Sequence, residues 1–573
     1  MSKNNLEKKE PLPAGQLFLG GEGASFSGFI EFCKRNMPLV ISVTLAVLFV
    51  YGVFLFNISV IGEAILRFAA SHNPIEFLRS SDYTIETDIL GVKRWTIWLF
   101  SNLFLIKESG VYACNFIAIV SIWTFSMLFC YFIAVFTKNT NRRNGFIPLA
   151  LAVLTYPVWP MNFPNLYMVR INMIFIAVML IAIYLFYAGF LSGNKTYLVI
   201  SFVLTVLCFG SYQPFLPLFL CIVFIFFILL QENSNLQPKE YGLLCIKLFL
   251  FFLAAFILSF IIGRIVQSAL NVPNGSYVTG IMVWNKASLT SVIANILGLG
   301  YFTTIGMIPF VHTLFTPLME TMYGSSVGPY GKSIVENVLL YSRTTGNILL
   351  LPAGITFIVF IFINAKKYIP KSRRLLYILA GFGVPLSIFF LVIVSGEVRG
   401  LRILYSLPFA SAFMFYYVSR GQKTILRRLF YCLILAVSFY QAQVSQNIFE
   451  GIVRTSEYDT IAAFDINSRV SKVMEDGEKL PLAFIGNKHT FEKQIFPAFD
   501  ITARSPFERW SLDDMPYQTN MVIPFMNLFG FNYDIPANEQ IKEAYEASFD
   551  MPAYPAAGCV KKLDGVIVVK MGE

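Results

Sequence analysis

Charge is what this 573-residue chain has least of. Asp, Glu, Lys and Arg together make up 14% of it, where soluble globular domains carry roughly 25%. So little charge cannot wet the three or four soluble domains that this length would otherwise suggest. Histidine is scarcer still. His72, His312 and His489 stand far apart, with no HExxH pair and no clustered set, so no metal site and no cofactor are expected. Of the eight cysteines, six fall within apolar segments, Cys33 precedes the first of these and Cys559 stands alone in the tail. No spacing among them describes a disulfide framework or a zinc site. A Gly-x-Ser-x-Gly elbow is absent. The run from Gly328 to Ser333 has two residues between its glycines, where a phosphate loop needs four.

What is present is apolar and aromatic. Hydrophobic residues make up 56% of the chain, with 58 Phe and 28 Tyr, and the mean hydropathy is +0.63. These values describe a polytopic α-helical membrane protein. A hydrocarbon core ~30 Å thick takes about 20 apolar residues per helix. On that rule the spans fall near 37–57, 111–136, 145–160, 172–191, 197–210, 214–230, 243–263, 348–364, 375–394, 403–418 and 429–447. The stretch 289–314, broken by Gly298, Gly300, Gly306 and Pro309, reads as re-entrant, a hairpin or a further span, so the expected count runs from nine to thirteen around eleven. The polar segment 1–36 lacks a cleavable signal pattern, and the first span is expected to be retained.

Charge distribution gives a sidedness. From Asn447 onward there are 12 Lys and Arg against 19 Asp and Glu, a net of −7, leaving 32 against 15, or +17, for the rest. That excess lies in short clusters between apolar runs: Lys34 and Arg35; Lys138, Arg142 and Arg143; Lys366 to Arg374; Arg420 to Arg428. Short basic loops stay on the cytoplasmic side. Eleven crossings from a cytoplasmic N-terminus put every cluster inside and the C-terminus outside, and no nucleic-acid partner is needed to explain the basicity. The expected organisation is a transmembrane unit at 37–447 with a first outer loop at about 59–110, then an acidic outer domain at 448–573. In that tail, Ser456 and Asp459 resemble a capping box that opens a helix, Leu482 to Ile485 reads as a strand, and Asp564-Gly565 between two apolar runs signals a hairpin.

The polar groups that can carry chemistry lie in the outer segments. The first loop holds Asp82, Glu86 and Asp88, then Lys93, Arg94 and Trp95. Asp82 and Glu86 are four apart and would share a helix face; the same pattern also fits a solvated amphipathic loop. An outer carboxylate can take a proton from a sugar hydroxyl, and Lys93 or Arg94 can hold a lipid phosphate. The segment Tyr156 to Asn165 carries Trp159 and Asn162 and leads to Arg170; its aromatics fit either interface anchors or a substrate contact. Tyr212 and Gln213 interrupt a long apolar run, and such a break is tolerated only where it meets protein or a cavity. The turn Ser395 to Arg402 places Arg399 and Arg402 beside Glu397, with ion pairing as the plain alternative; interfacial arginines are functional candidates.

Taken together, these segments resemble the serotype-converting glucosyltransferases of bacteria and their temperate phages. The likeness is carried by the Ser-Asp-Tyr loop with Lys93-Arg94-Trp95, by Ser211-Tyr212-Gln213-Pro214, by Arg399 to Pro408, and by Tyr554-Pro555 with Gly565 to Lys570. The resemblance implies a GT-C architecture in the bacterial inner membrane, with undecaprenyl phosphate-glucose as donor and the lipopolysaccharide O-antigen as acceptor on the periplasmic side. It also implies a catalytic carboxylate in the first outer loop, which points to Asp82 with Asp88 and Glu86 behind it. Family members often have paired aspartates where this chain has Ser81-Asp82. Another envelope enzyme acting on a lipid-linked sugar is the nearest alternative. A polysaccharide or lipid transporter would need charges within the spans, whereas most lie at their ends.

Overall fold

The computed structural model describes residues 26–56, 90–91, 93–103, 111–138, 145–163, 166–234, 236–272, 289–304, 349–395, 403–420, 424–475, 477–486, 505–507 and 515–572, with residues 347, 422 and 488. Its helices are α1 (Phe26–Arg35), α2 (Met37–Tyr51), α3 (Trp95–Leu103), α4 (Val111–Thr137), α5 (Phe146–Leu154), α6 (Leu166–Ser192), α7 (Lys195–Ser211), α8 (Phe215–Asn233), α9 (Pro238–Ala269), α10 (Leu289–Thr303), α11 (Leu350–Lys367), α12 (Arg374–Ser395), α13 (Ser406–Arg420) and α14 (Thr424–Val473). Among the described residues seven of these are long and apolar enough to cross a membrane: α4, α6, α8, α9, α11, α12 and α14. The protein is therefore a polytopic helical membrane protein. Helices α2, α5, α7 and α13 are shorter, at 15, 9, 17 and 15 residues. Segment 1–36, read only as a polar lead, carries α1, which is bent by 91° from α2. Its buried Phe32 packs on Tyr131 and Phe146, while Lys34 and Arg35 close its last turn.

Chain reversals follow local chemistry. Gly193 takes a φ of +71° between α6 and α7, and the Asn194 side chain caps α7 by accepting from the Thr196 amide at 2.9 Å. Pro238 opens α9 behind a Gln237–Glu240 capping box. Polar bonds then lock neighbouring helices inside an apolar core: Tyr51 Oη donates to the Leu154 carbonyl at 2.5 Å, Ser201 Oγ to Ala182 at 2.7 Å, and Tyr187 Oη to Val223 at 2.9 Å. Each satisfies a group that hydrocarbon could not solvate.

One end of the bundle is basic. The Glu232 carboxylate at the foot of α8 accepts from Tyr377 Oη at 2.6 Å, from Tyr417 Oη and from the Arg420 guanidinium. Asn364 donates to Tyr417 Oη at 2.7 Å, and Arg374 donates to the Lys366 carbonyl at 2.9 Å. Phe146, at the start of α5, stacks on Tyr416. These contacts gather the basic stretches at 366–374 and 420–428, the end of α4 and the start of α5 on one side.

Helix α14 runs unbroken for 50 residues, about 75 Å at 1.5 Å per residue. This corrects one expectation, a capped helix beginning at Ser456. Ser456 sits mid-helix with its carbonyl accepting from Thr460 Oγ1 at 2.8 Å, and Asp459 is buried with Ser505 Oγ donating to it at 2.6 Å. The first half of α14 exposes Ile425, Leu429 and Phe439, whereas Ala463, Ile466 and Val470 enter the core of the tail. There β1 (Leu482–Ile485), α15 (Met515–Asn527), α16 (Asn538–Ala547), β2 (Val560–Leu563) and β3 (Val566–Lys570) form an α/β unit. The sheet order is β1-β3-β2, with β1 parallel and β2 antiparallel to β3. Leu482, Phe484, Ile567 and Val569 face α14 and α15; Ala483, Ile485 and Val568 face α16. The Asp564-Gly565 turn forms as read, with Gly565 at φ +86°.

Candidate active site

At the end opposite the basic clusters, the segment following the first loop is wedged between α7 and α9. Leu90 is fully buried and, with Trp95, packs on Val206 of α7 and Ala255 of α9. The Trp95 indole N–H donates to the Ser259 carbonyl at 3.1 Å and lies 3.3 Å from its Oγ. Two glycines make the fit possible. A Cβ at Gly210 would lie 2.3 Å from Trp95 Nε1 and 2.6 Å from Thr96 Oγ1; one at Gly263 would lie 3.3 Å from Lys93 Cβ.

Lys93 itself adopts φ +61°, the left-handed region that a side chain with a Cβ occupies only at a cost. Its consequence is that two adjacent cations diverge. Lys93 Nζ lies 4.3 Å from the centre of the Phe260 ring on α9, and the Arg94 guanidinium lies 4.6 Å from the Tyr212 ring.

Tyr212 marks the break that the sequence shows between two apolar runs. Helix α7 stops at Ser211 because Tyr212 turns to extended backbone, φ −161° and ψ 138°, and Pro214 sits at the start of α8. The Tyr212 ring meets Tyr405 edge-on at 5.8 Å. Tyr405, fully buried before α13, also contacts Phe215 at 5.7 Å and Trp159 at 5.7 Å, and its hydroxyl donates to Asn162 Oδ1 at 3.1 Å. Asn162 Nδ2 in turn donates to Val158 O at 2.8 Å, and Trp159 Nε1 donates to Val153 O at 2.7 Å. Trp159 is buried within the protein, which does not fit an interface anchor.

The structure thus brings together Arg94, Tyr212, Asn162 and Trp159 from three separate segments, with Gln213 next to Tyr212 in the turn. Lys93 faces the other way, towards α9. Arg170, at the start of α6, is buried and its Nη1 donates to Cys114 Sγ at 2.8 Å, so it is held by the α4–α6 pair. Asp82, Glu86, Asp88, Arg399 and Arg402 lie outside the described residues. Tyr405, the residue that joins the group, was not singled out individually; only its place within the Arg399–Pro408 stretch pointed to it. The partly buried Glu232 group at the basic end was also missed, because a carboxylate at a helix foot looks like any solvated helix end in sequence.

An arginine held over an aromatic face keeps its orientation, and its planar fork matches phosphate oxygens two at a time. Buried aromatics and an amide beside it form a floor that excludes water, where a charge contact is stronger than in bulk solvent. The arrangement suits binding of a phosphate-bearing, partly apolar ligand at a membrane surface.

No curated protein and no solved structure matches the chain. The family described as glucosyl transferase GtrII matches residues 79–419, a stretch that opens three residues before Asp82, contains the whole Arg94–Tyr212–Tyr405 group and ends before the α/β tail. With more than half of its length covered, the chain belongs to the GtrII glucosyltransferase family.

Proposed function

We propose that the protein transfers glucose from undecaprenyl phosphate-glucose to a sugar of the lipopolysaccharide O-antigen, at the periplasmic face of the bacterial inner membrane. The observation that carries this reading is the Arg94–Tyr212–Tyr405–Asn162 group at the end of the bundle opposite the basic clusters. Basic ends stay in the cytoplasm, so this group faces the periplasm, where no nucleotide sugar is available and a lipid-phosphate sugar is. The same rule favours eleven crossings, counting α2, α5, α7 and α13 with the seven long helices, and a periplasmic tail.

In the proposed reaction Arg94 binds the donor phosphate. Asp82, with Glu86 and Asp88 shaping the acceptor site, accepts the proton of the acceptor hydroxyl. The new C1–oxygen bond forms as the bond from C1 to the phosphate oxygen breaks, and polyprenyl phosphate leaves with the negative charge that Arg94 stabilises. Asp88 precedes the buried Leu90 by two residues in the sequence. Arg402 directly precedes Ile403 and the Tyr405 segment, and with Arg399 completes the phosphate contacts. Linkage analysis of lipopolysaccharide from cells with and without the chain tests the reading. A new glucosyl branch is expected; an unchanged polysaccharide in a strain that makes the donor refutes it. Asp82→Asn removes the proton acceptor while keeping its shape and should lower turnover by about 10²–10⁴-fold. If Asp82→Asn and Asp88→Asn both stay active, the first-loop base is wrong.

A further inference from the structure

Helix α9 is the least covered of the long helices: only 17% of its most apolar stretch is buried. Phe260 (36% exposed), Ile261 (45%) and Ile265 (61%) therefore line a face turned towards lipid. Two cations share that face. Lys93 Nζ lies 4.3 Å from the Phe260 ring centre, and the Arg264 guanidinium lies 5.3 Å from it. Among the described residues neither has a carboxylate within ion-pair range. Burial first, and then the Arg264 charge, hold the Lys93 ammonium below its ordinary pKa. Like charges gathered at an apolar surface repel, and an anion between them removes that cost.

Depth gives the anion its class. On α9 the run Leu248–Gly263 is uncharged and is bracketed by Lys247 and Arg264. These are 17 residues apart, about 25 Å along a helix, close to a hydrocarbon core of ~30 Å once long cationic side chains reach outward. Arg264 therefore sits where lipid phosphates sit.

We propose that Lys93 and Arg264, straddling Phe260, form a receiving site for the phosphate of the polyprenyl donor on the lipid-facing flank, outside the transfer site. This rests on the transferase reading for the identity of its occupant. The isoprenoid chain packs along Ile261 and Ile265, and the phosphate sits between the two cations. From there the transfer site is one residue away: Lys93 and Arg94 are adjacent, their Cα atoms about 3.8 Å apart, and the left-handed turn at Lys93 sends one side chain to the lipid and the other to Tyr212. The wedge is thus a handover point between bilayer and site.

The test reads binding without turnover. Full-length protein in phosphatidylcholine nanodiscs is titrated with radiolabelled undecaprenyl phosphate, in an Arg94→Gln background that weakens the transfer site, and the flank is read as the difference between this background and its Lys93 and Arg264 variants. Neutralising both cations, Lys93→Gln with Arg264→Gln, should weaken binding by on the order of tenfold to thirtyfold. The exchange Lys93→Arg with Arg264→Lys keeps both charges and should retain binding, which separates loss of charge from loss of fold. A tenfold excess of phosphatidylglycerol should not displace the probe. Unaltered binding in the neutralised variant overturns the site, as does equal loss in the charge-keeping exchange. Displacement by phosphatidylglycerol overturns the occupant in favour of bulk anionic lipid, and displacement by millimolar inorganic phosphate overturns it in favour of a free anion. Glucose transfer is assayed separately: failure of the wild type to transfer refutes the transferase reading, whereas the isotherm decides the flank site whatever the activity.

Discussion

Adding one methyl group at Gly210 tests the wedge on which both the candidate site and the flanking cations depend. In Gly210→Ala the new Cβ would sit 2.3 Å from Trp95 Nε1, 2.4 Å from Trp95 Cε2 and 2.6 Å from Thr96 Oγ1. None of these is the free end of a flexible chain. The indole is pinned by its bond to the Ser259 carbonyl at 3.1 Å and by packing against Val206 and Ala255. Overfilling such a site costs about 1–3 kcal/mol, and moving the indole away loses a hydrogen bond worth about 1 kcal/mol. Alanine returns at most about 1 kcal/mol through its better helix propensity, so a net loss of about 1–3 kcal/mol is expected. The functional loss should be larger in proportion, since Arg94 is adjacent to Trp95 and a shift of ~1 Å in a positioning group can cost about 10²-fold. Thermal unfolding of the purified protein in detergent and glucose transfer from the lipid donor are the two readouts. Gly242→Ala in α9 is the control: a Cβ there meets nothing within 4 Å, so stability should be unchanged or slightly raised. Trp95→Phe removes the atom that clashes, so combining it with Gly210→Ala should cost less than the sum of the two. If Gly210→Ala unfolds and transfers like the wild type, the first-loop exit is not packed between α7 and α9 as described.

Three further outcomes are expected. Arg94→Lys keeps the charge over Tyr212 but loses the planar fork, so the donor KM should rise by about tenfold and further in Arg94→Ala; an unchanged donor KM in both refutes the phosphate role. Tyr405→Phe keeps the ring that joins Tyr212 to Trp159 but takes a donor from buried Asn162 Oδ1, at about 1–3 kcal/mol; unfolding at the wild-type temperature refutes the bond. Glu232→Gln removes the acceptor charge shared by Tyr377, Tyr417 and Arg420, and with Arg420 partly solvent-exposed the loss should be about 1–3 kcal/mol. Because that group lies at the opposite end of the bundle, the donor KM should not move; a raised donor KM contradicts the separation of the two ends.

The architecture was legible because the bilayer imposes a length and a polarity that survive in any sequence built for it. Helices α4, α6, α8, α9, α11 and α12 fall within a few residues of the apolar runs. The breaks at Tyr212 and at Lys371–Arg373 were visible through Pro214 and through clustered charge. The β2–β3 turn was readable from Asp564-Gly565, since the left-handed position there suits glycine. Failures came where a local signal competed with a continuous helix. Ser456 and Asp459 have capping chemistry, but capping matters only at a helix end. Ala462, Ala463, Ile466 and Val470 give the later turns of α14 a packing face that carries the helix through that point. An i, i+3 pair cannot report a helix that has already begun.

The site was legible as parts and illegible as an assembly. Residues 94, 162, 212 and 405 each stand at an interruption of an apolar run, and each interruption is visible. Which interruptions meet is decided by the order in which the helices pack, which has no period in the sequence. Tyr405 shows the difficulty: five residues after Gly400 in an aromatic-rich chain, it is one tyrosine among 28, and only its contacts with Tyr212, Phe215, Trp159 and Asn162 distinguish it. The divergence of Lys93 and Arg94 was hidden for a different reason. Two neighbouring cations read naturally as one patch, and it takes a φ of +61° at a non-glycine residue to part them. That conformation follows from the surroundings, with Gly263 admitting the Lys93 backbone on one side and Gly210 admitting the indole on the other. The chemistry assigned to each cation therefore depends on two glycines more than a hundred residues downstream.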